Sequence, residues 1–213
     1  GSQGWPIEMK KIVVTGKTVE DALQTGLARL NVPKHRVKVN VLEQPSKGLF
    51  GLIGAKDAKV ELELIPDPVE EAARFLKEVV AAMNVRAEIR QEQNEDGVLF
   101  HLYGTGLGVL IGRRGQTLDS LQYLVNIVAN RHSDTFVRIM LDAENFRSRR
   151  KQALENLCDR LAKRVIRTGK EVVLEPMSPQ ERKVIHTHLQ NHPAVKTYSK
   201  GEEPNRRVVI TLK

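Results

Sequence analysis

The sequence predicts an α+β protein built from three small α/β-sandwich units in series. Hydrophobic spacing switches repeatedly between strand-like alternation and helical periodicity. Two prolines in I-P-D-P, at 66 and 68, punctuate the chain, and a capping box, Ser178-Pro179-Gln180-Glu181, opens a late helix. At 213 residues the chain is long enough for two or three small cores rather than one large one. The expected units are 9–65, 68–142 and 144–213.

The first unit opens with a short strand at 10–14. Thr18 then caps a helix whose apolar stripe is Val19, Leu23, Leu27 and Leu30, with Asp21 in its first turn. Val37, Val39 and Val41 alternate with polar residues, as do Val60, Leu62 and Leu64, and both runs read as half-buried strands. The order is β-α-β-β. Between the last two strands lies the glycine-spaced apolar loop K-G-L-F-G-L-I-G-A-K.

An amphipathic helix over 69–83 opens the second unit. Strands near 86–92 and 97–103 follow, joined by the turn Asn94-Glu95-Asp96-Gly97, with Val98, Phe100 and Leu102 on one face. Next come G-T-G-L-G-V-L-I-G-R-R-G, a helix carrying Leu118, Leu121, Leu124, Val125 and Val128 on one side, and a strand over 135–141, giving α-β-β-α-α-β. The third unit starts with a long helix from about Glu144 to Thr168. Leu154, Leu157, Cys158, Leu161, Ala162 and Val165 form its stripe, and Gly169 stops it. A strand at 172–174, the capped helix and two strands near 195–199 and 206–212 complete a three-stranded sheet with two helices.

Composition narrows the function. Aromatics make up 4%, too few for extensive base-stacking platforms. The longest apolar stretch, 49–55, is short and broken by glycines, so no membrane span is expected. The single cysteine, Cys158, excludes an intramolecular disulfide and fits a reducing cytosol. The first eight residues, G-S-Q-G-W-P-I-E, are expected to be a cloning remnant ahead of Met9. The net charge of +8 favours a polyanionic partner, and it is uneven: +3 over 1–66, −2 over 67–141 and +7 over 142–213. A binding loop in the middle third must therefore act through local geometry.

A G-x-x-G match alone carries little information, and the chain has four, at 1–4, 48–51, 51–54 and 112–115. Only the last lies between an apolar turn (Val109-Leu110-Ile111) and an amphipathic helix. There Gly112 and Gly115 are expected to let a phosphodiester approach the backbone. The next helix offers free N–H groups, Arg113 and Arg114 offer exposed charge, and Ile111 walls a groove for unstacked bases. The bland alternative is a tight helix-helix turn with two solvated arginines. A dinucleotide fingerprint fails because Ile111 stands where glycine is needed, and no P-loop motif occurs.

Arg182 and His186, four apart on a well-capped helix, are expected to project from one face near its positive end, beside the basic pair Arg206-Arg207. A phosphate-contacting pair and two solvated polar residues are both consistent with that spacing. His186, His188 and His192 lack the spacing and the companion ligands of a metal site. No nucleophile elbow or H-E-x-x-H occurs and Cys158 lies on an apolar stripe, so neither an enzyme nor a cofactor is expected. Leu49, Phe50, Leu52 and Ile53 are either a knuckle folded on their own sheet or a partner-docking site.

With these motifs assembled, I-G-R-R-G within α-β-β-α-α-β resembles a type II KH domain. Arg182-xxx-His186, in S-P-Q-E-R-K-V-I-H followed by P-N-R-R-V-V-I, resembles the R-3-H domain. The unit with K-G-L-F-G-L-I-G-A-K resembles the Jag N-terminal domain. That order is similar to the bacterial Jag, or SpoIIIJ-associated, proteins, and D-A-E-N-F-R-S-R-R-K is also typical of them. Many members have a longer linker than I-P-D-P between the first two domains. The resemblance implies a cytoplasmic protein that binds single-stranded RNA through Gly112, Arg113, Arg114 and Gly115 and through Arg182 and His186. It further implies regulation of cell elongation and division, a small KH-only partner, and membrane association through a YidC-type insertase or the elongation machinery. A homodimer is a further expectation. The competing reading is a protein-interaction adaptor, which the apolar loop and the −2 middle segment favour.

Overall fold

In the computed structural model, which describes residues 10–48 and 54–213, helices and strands follow the expected order. The elements are β1 (Lys11–Gly16), α1 (Val19–Leu30), β2 (Val37–Glu43), β3 (Ala58–Leu64), α2 (Pro68–Ala82), β4 (Arg86–Asn94) and β5 (Gly97–Thr105). They continue with α3 (Gly108–Ile111), α4 (Gln116–Asn130), β6 (Ile139–Ala143), α5 (Phe146–Thr168), β7 (Val172–Val173), α6 (Pro179–Leu189), β8 (Val195–Lys200) and β9 (Arg207–Leu212). The described strands form three three-stranded sheets, ordered β1-β3-β2, β4-β5-β6 and β7-β9-β8. The fold class is α+β, as the periodicity indicates. Leu49, Phe50, Leu52 and Ile53 lie outside the described residues.

Two compact units result. One takes the described residues up to Asn84 with Gln91–Phe100 and Ser120–Met140; the other takes Val85–Arg90, His101–Asp119 and Leu141–Lys213. In the first, β1 and β2 both pair antiparallel with β3, with Val14 opposite Val60 and Val39 opposite Leu62. The alternation turns Val60 and Leu62 inward against Val14 and against Ala22 and Leu23 of α1. Thr18 caps α1, its hydroxyl accepting from the Asp21 N–H at 3.1 Å. The I-P-D-P linker is tied down. Asp67 caps α2 by accepting from the Val69 and Glu70 N–H groups at 2.9 and 3.0 Å, while Arg36 donates to the Ile65 carbonyl at 3.1 Å. Arg36 also faces the Asp67 carboxylate at 3.6 Å.

The same unit contains a side-chain substitute for a β-strand. Asn126 and Asn130 lie four apart on α4, a rise of about 6 Å. Val137 and Ile139 lie two apart in extended chain, a similar span of about 6.6 Å. Each asparagine both donates and accepts. Asn126 pairs with the Ile139 carbonyl at 2.6 Å and N–H at 2.9 Å, and Asn130 with those of Val137 at 2.8 and 2.7 Å. The approach to β6 is fixed by this ladder.

In the second unit, one face of α5 carries Leu154, Cys158, Ala162 and Val165 into a core shared with Ile185 and Leu189 of α6, Val195 of β8, and Val208 and Ile210 of β9. Burial and the neighbouring Asp159 and Glu155 carboxylates push the Cys158 thiol up to about 11, so it is no nucleophile at neutral pH. Helix α5 starts at Phe146, two residues later than the periodicity suggests. Glu144 and Asn145 adopt left-handed φ values of 47° and 58°, and the Asp142 carboxylate accepts from the Arg147 N–H at 3.2 Å.

Replacing Asn126 by Ala removes both halves of one rung and leaves the Ile139 backbone groups unpaired. The expected loss is about 1–3 kcal/mol in urea-monitored unfolding, with an unchanged denaturant slope. Wild-type stability would show that the rung contributes nothing.

Candidate nucleic-acid interface

Helix α3 is a single turn, after which the chain reverses through Gly112–Gly115 into α4. Gly112 and Gly115 have φ values of 70° and 80°, in the region that favours glycine. A Cβ on Gly112 would collide with the Thr117 hydroxyl, and one on Gly115 would lie 2.6 Å from Cε1 of Phe146. The protein's own packing therefore demands both glycines, independently of any ligand. In particular, Gly115 is the seat for the first residue of α5.

Arg114, although not glycine, also takes a left-handed conformation, with φ 57° and ψ 25°. Such a conformation costs about 1–2 kcal/mol. Its guanidinium offsets that strain by donating to the Pro176 carbonyl at 2.6 Å and pairing with the Glu175 carboxylate. Both acceptors lie between β7 and α6, so Arg114, expected in solvent, is half-buried and engaged. Arg113 is exposed and makes no hydrogen bond or ion pair to a described residue.

Beside this turn opens a cleft of about 450 Å³. It is lined by Arg113, Arg114, Gln116 and Asp119, by Pro176, Met177 and Ser178 just ahead of α6 with Glu181 in its first turn, and by Glu203-Pro204-Asn205. Every carboxylate in it is matched by an arginine. Asp119 accepts from Arg147 at 2.7 Å, Glu181 from Arg150 at 2.7 Å, and Glu203 from Arg182. Arg113 is left as the cleft's one unmatched charge among the described residues.

Arg182 does not project from α6. It is 7% exposed, donates to the Met177 carbonyl at 2.7 Å and pairs with Glu203, so its charge is satisfied inside the fold. One turn on, His186 is held by two hydroxyls, Thr197 on Nδ1 at 2.6 Å and Ser199 on Nε2 at 2.8 Å. Burial lowers its pKa below the ordinary 6.5, and the Arg182 and Arg206 charges lower it further. Arg206 donates to the Gly201 carbonyl at 2.8 Å and Arg207 to that of Asn205 at 3.4 Å, so both brace the β8–β9 loop. Ile111, half-buried, ends α3. The structure thus brings Arg113 and Arg114 to the start of α6, with Arg182 behind the wall, while His186, Arg206 and Arg207 do not line the cleft.

The other histidines have partners too. His188 meets Asp159 at 2.8 Å, and His192 Nδ1 accepts from the Ala194 and Val195 N–H groups at 3.1 and 3.2 Å. Among the described residues no group of three His, Cys, Asp or Glu is placed to hold a metal. Likewise, no described helix is long and apolar enough to cross a membrane.

The sequence matches three family models, the Jag N-terminus over residues 14–64, the KhpA/KhpB KH domain over 70–141 and the R-3-H domain over 152–212. It is 44% identical over 207 residues to the RNA-binding protein KhpB of Clostridium symbiosum, covering 96% of this chain and 93% of that one. The chain belongs to the KhpB family. The Bacillus subtilis (strain 168) KhpB is 37% identical over 208 residues, 96% of this chain and all of the relative. That of Lactiplantibacillus plantarum matches over 139 residues at 36% identity, 65% of this chain and 43% of the relative. In KhpB terms, the KH model ends at Leu141 and the R-3-H model begins at Gln152. The stretch between them carries Asp142, Phe146 and Arg147, which anchor α5 to the G-R-R-G turn. Sequence reasoning missed the roles of Phe146 and Arg147, and missed Glu175 and Glu203, because each partner lies 21 to 61 residues away.

The lowered pKa of His186 sets a sign. A half-buried imidazole with a lowered pKa contributes stability above pH 6.5 that is lost as pH falls toward the folded-state value, because the unfolded chain takes up the proton first. Melting temperature should fall more between pH 7.5 and 5.5 for the wild type than for His186→Gln. Equal falls would show that His186 does not drive the loss.

Proposed function

We propose that the chain binds single-stranded RNA, with the strand's backbone at the G-R-R-G turn and its bases in the adjoining cleft. The observation that carries this reading is Arg113, an unmatched guanidinium at a cleft whose other charges are internally paired. A phosphate at the turn meets that charge together with the dipole of the 15-residue α4. The KhpB relatives, named RNA-binding proteins, lend support. In this reading Arg113 touches phosphate, and Ile111, Gly112 and Gly115 shape the turn. Arg114, Arg182, Arg206 and Arg207 act through the walls they hold, and His186 acts at a distance, by fixing α6 to β8. The family resemblance carries the wider proposal of a non-enzymatic, cytoplasmic regulator of cell elongation and division.

A protein partner is a second reading, for which one face of α4 supplies the reason. Tyr123, Leu124 and Ile127 are 68%, 44% and 50% exposed there. Such an apolar face suits the small KH-only partner that the family resemblance suggests. The insertase and elongation contacts have no comparable support among the described residues.

Replacing Arg113 by Ala should weaken binding of a single-stranded RNA roughly tenfold and lower the salt slope by about one, with melting unchanged. Arg114→Ala should lower affinity and melting temperature together, because it unties the turn from Glu175 and Pro176. Affinity and slope unchanged in Arg113→Ala would reject the cleft as the RNA site.

A further inference from the structure

The wall of the cleft formed by Glu203, Pro204 and Asn205 carries a carboxylate that a phosphate cannot use. Glu203 accepts from Arg182 through Oε1, while its Oε2 has no partner among the described residues, and the side chain is 53% exposed. Arg182 is itself fixed by the Met177 carbonyl, so the carboxylate is held from behind by a buried guanidinium. Two residues on, the Asn205 carboxamide is also without a partner there. The hydrogen bonds at Asn205 are backbone ones, its N–H to the Glu202 carbonyl at 2.8 Å and its carbonyl from Arg207. A free carboxylate oxygen repels phosphate and attracts N–H donors. Backbone binding alone leaves this wall unexplained.

Base edges supply such donors. Guanine alone among the four RNA bases presents two adjacent donors, N1–H and the 2-amino group, next to an acceptor, O6. Adenine and cytosine turn a ring acceptor toward a carboxylate, and uracil offers a single N–H. We infer, on the RNA-binding reading above, that this cleft is a guanine-selecting subsite. Glu203 accepts from N1–H and the 2-amino group, and the Asn205 amide donates to O6. The base lies against Pro176, Met177 and Pro204 while Arg113 holds the adjoining phosphate. Arg182 is a positioning residue, buried and acting through Glu203. The volume of about 450 Å³ falls within the range of about 300–1,000 Å³ typical of small-molecule pockets, which suits one splayed nucleotide rather than a duplex.

The test is fluorescence-anisotropy binding of the full chain to labelled single-stranded heptamers of uridine. Their central base is guanine, hypoxanthine (which lacks the 2-amino group), adenine or uracil. The wild type should bind the guanine heptamer roughly tenfold tighter than the adenine or uracil ones, with hypoxanthine between. Glu203→Gln should bring all four affinities to within about twofold, since a carboxamide cannot accept both donors as a carboxylate does. Asn205→Asp, which sets an acceptor against O6 from an exposed loop, should also erase the preference. Equal wild-type binding of all four heptamers would overturn the guanine subsite while leaving RNA binding standing; no binding of any would overturn both. Either variant keeping the full preference would overturn its assigned role. Guanosine monophosphate competing at the same concentration as the guanine heptamer would assign the pocket to a free nucleotide instead of a strand.

Discussion

Arg114 reaches from the G-R-R-G turn to the Pro176 carbonyl and the Glu175 carboxylate, and the cleft depends on that bridge. It joins the turn before α4 to the segment before α6, elements about sixty residues apart in the chain. Phe146 against Gly115 secures the same turn from the side of α5. A left-handed arginine is tolerable there because its guanidinium has two acceptors within reach. The two glycines are needed because Thr117 and Phe146 occupy the space a side chain would take. Turn geometry and domain packing are thus one constraint seen from two directions.

Charge follows the same logic. The last third of the chain carries the basic excess, yet the arginines nearest the cleft are bound to carboxylates. Arg147, Arg150 and Arg182 are matched by Asp119, Glu181 and Glu203. These pairs are partly exposed, so each contributes modestly to stability, and their larger effect is to orient the cleft walls. Arg113 apart, other unmatched cations lie on α5. Arg160, Lys163, Arg164 and Arg167 share the exposed side of α5, and their side chains have no partner among the described residues. These four cations put unpaired positive charge on α5, whereas the walls of the cleft are largely charge-paired.

Much of the fold was legible in the sequence because local rules decide it. Thr18, Ser178 and Gly169 punctuate helices where capping chemistry says they should. The inward triplet Val98, Phe100 and Leu102 follows from alternation. For the candidate site, the glycine-bounded turn was legible in the sequence, but the partners that hold its neighbouring side chains were not. Spacing places Arg182 and His186 one turn apart. It cannot reveal that Met177, Glu203, Thr197 and Ser199 are waiting to satisfy them. Buried polar partners come from distant parts of the chain, and periodicity carries no record of them. The start of α5 falls later than periodicity indicates for a related reason: Asn145 takes a left-handed conformation that composition alone does not announce.

The paired asparagines on α4 have an implication for what the chain can tolerate. Each presents one donor and one acceptor, side by side, at the reach of a neighbouring backbone peptide. Among the encoded side chains glutamine offers the same pair but a methylene too far out. Aspartate offers two acceptors and so faces a carbonyl with a repelling oxygen, and serine is too short to span both groups. Positions 126 and 130 therefore behave as though a single residue type were written into the backbone itself. Even hydrolysis of one side-chain amide would alter the hydrogen-bonding grammar by which a helix here stands in for a strand.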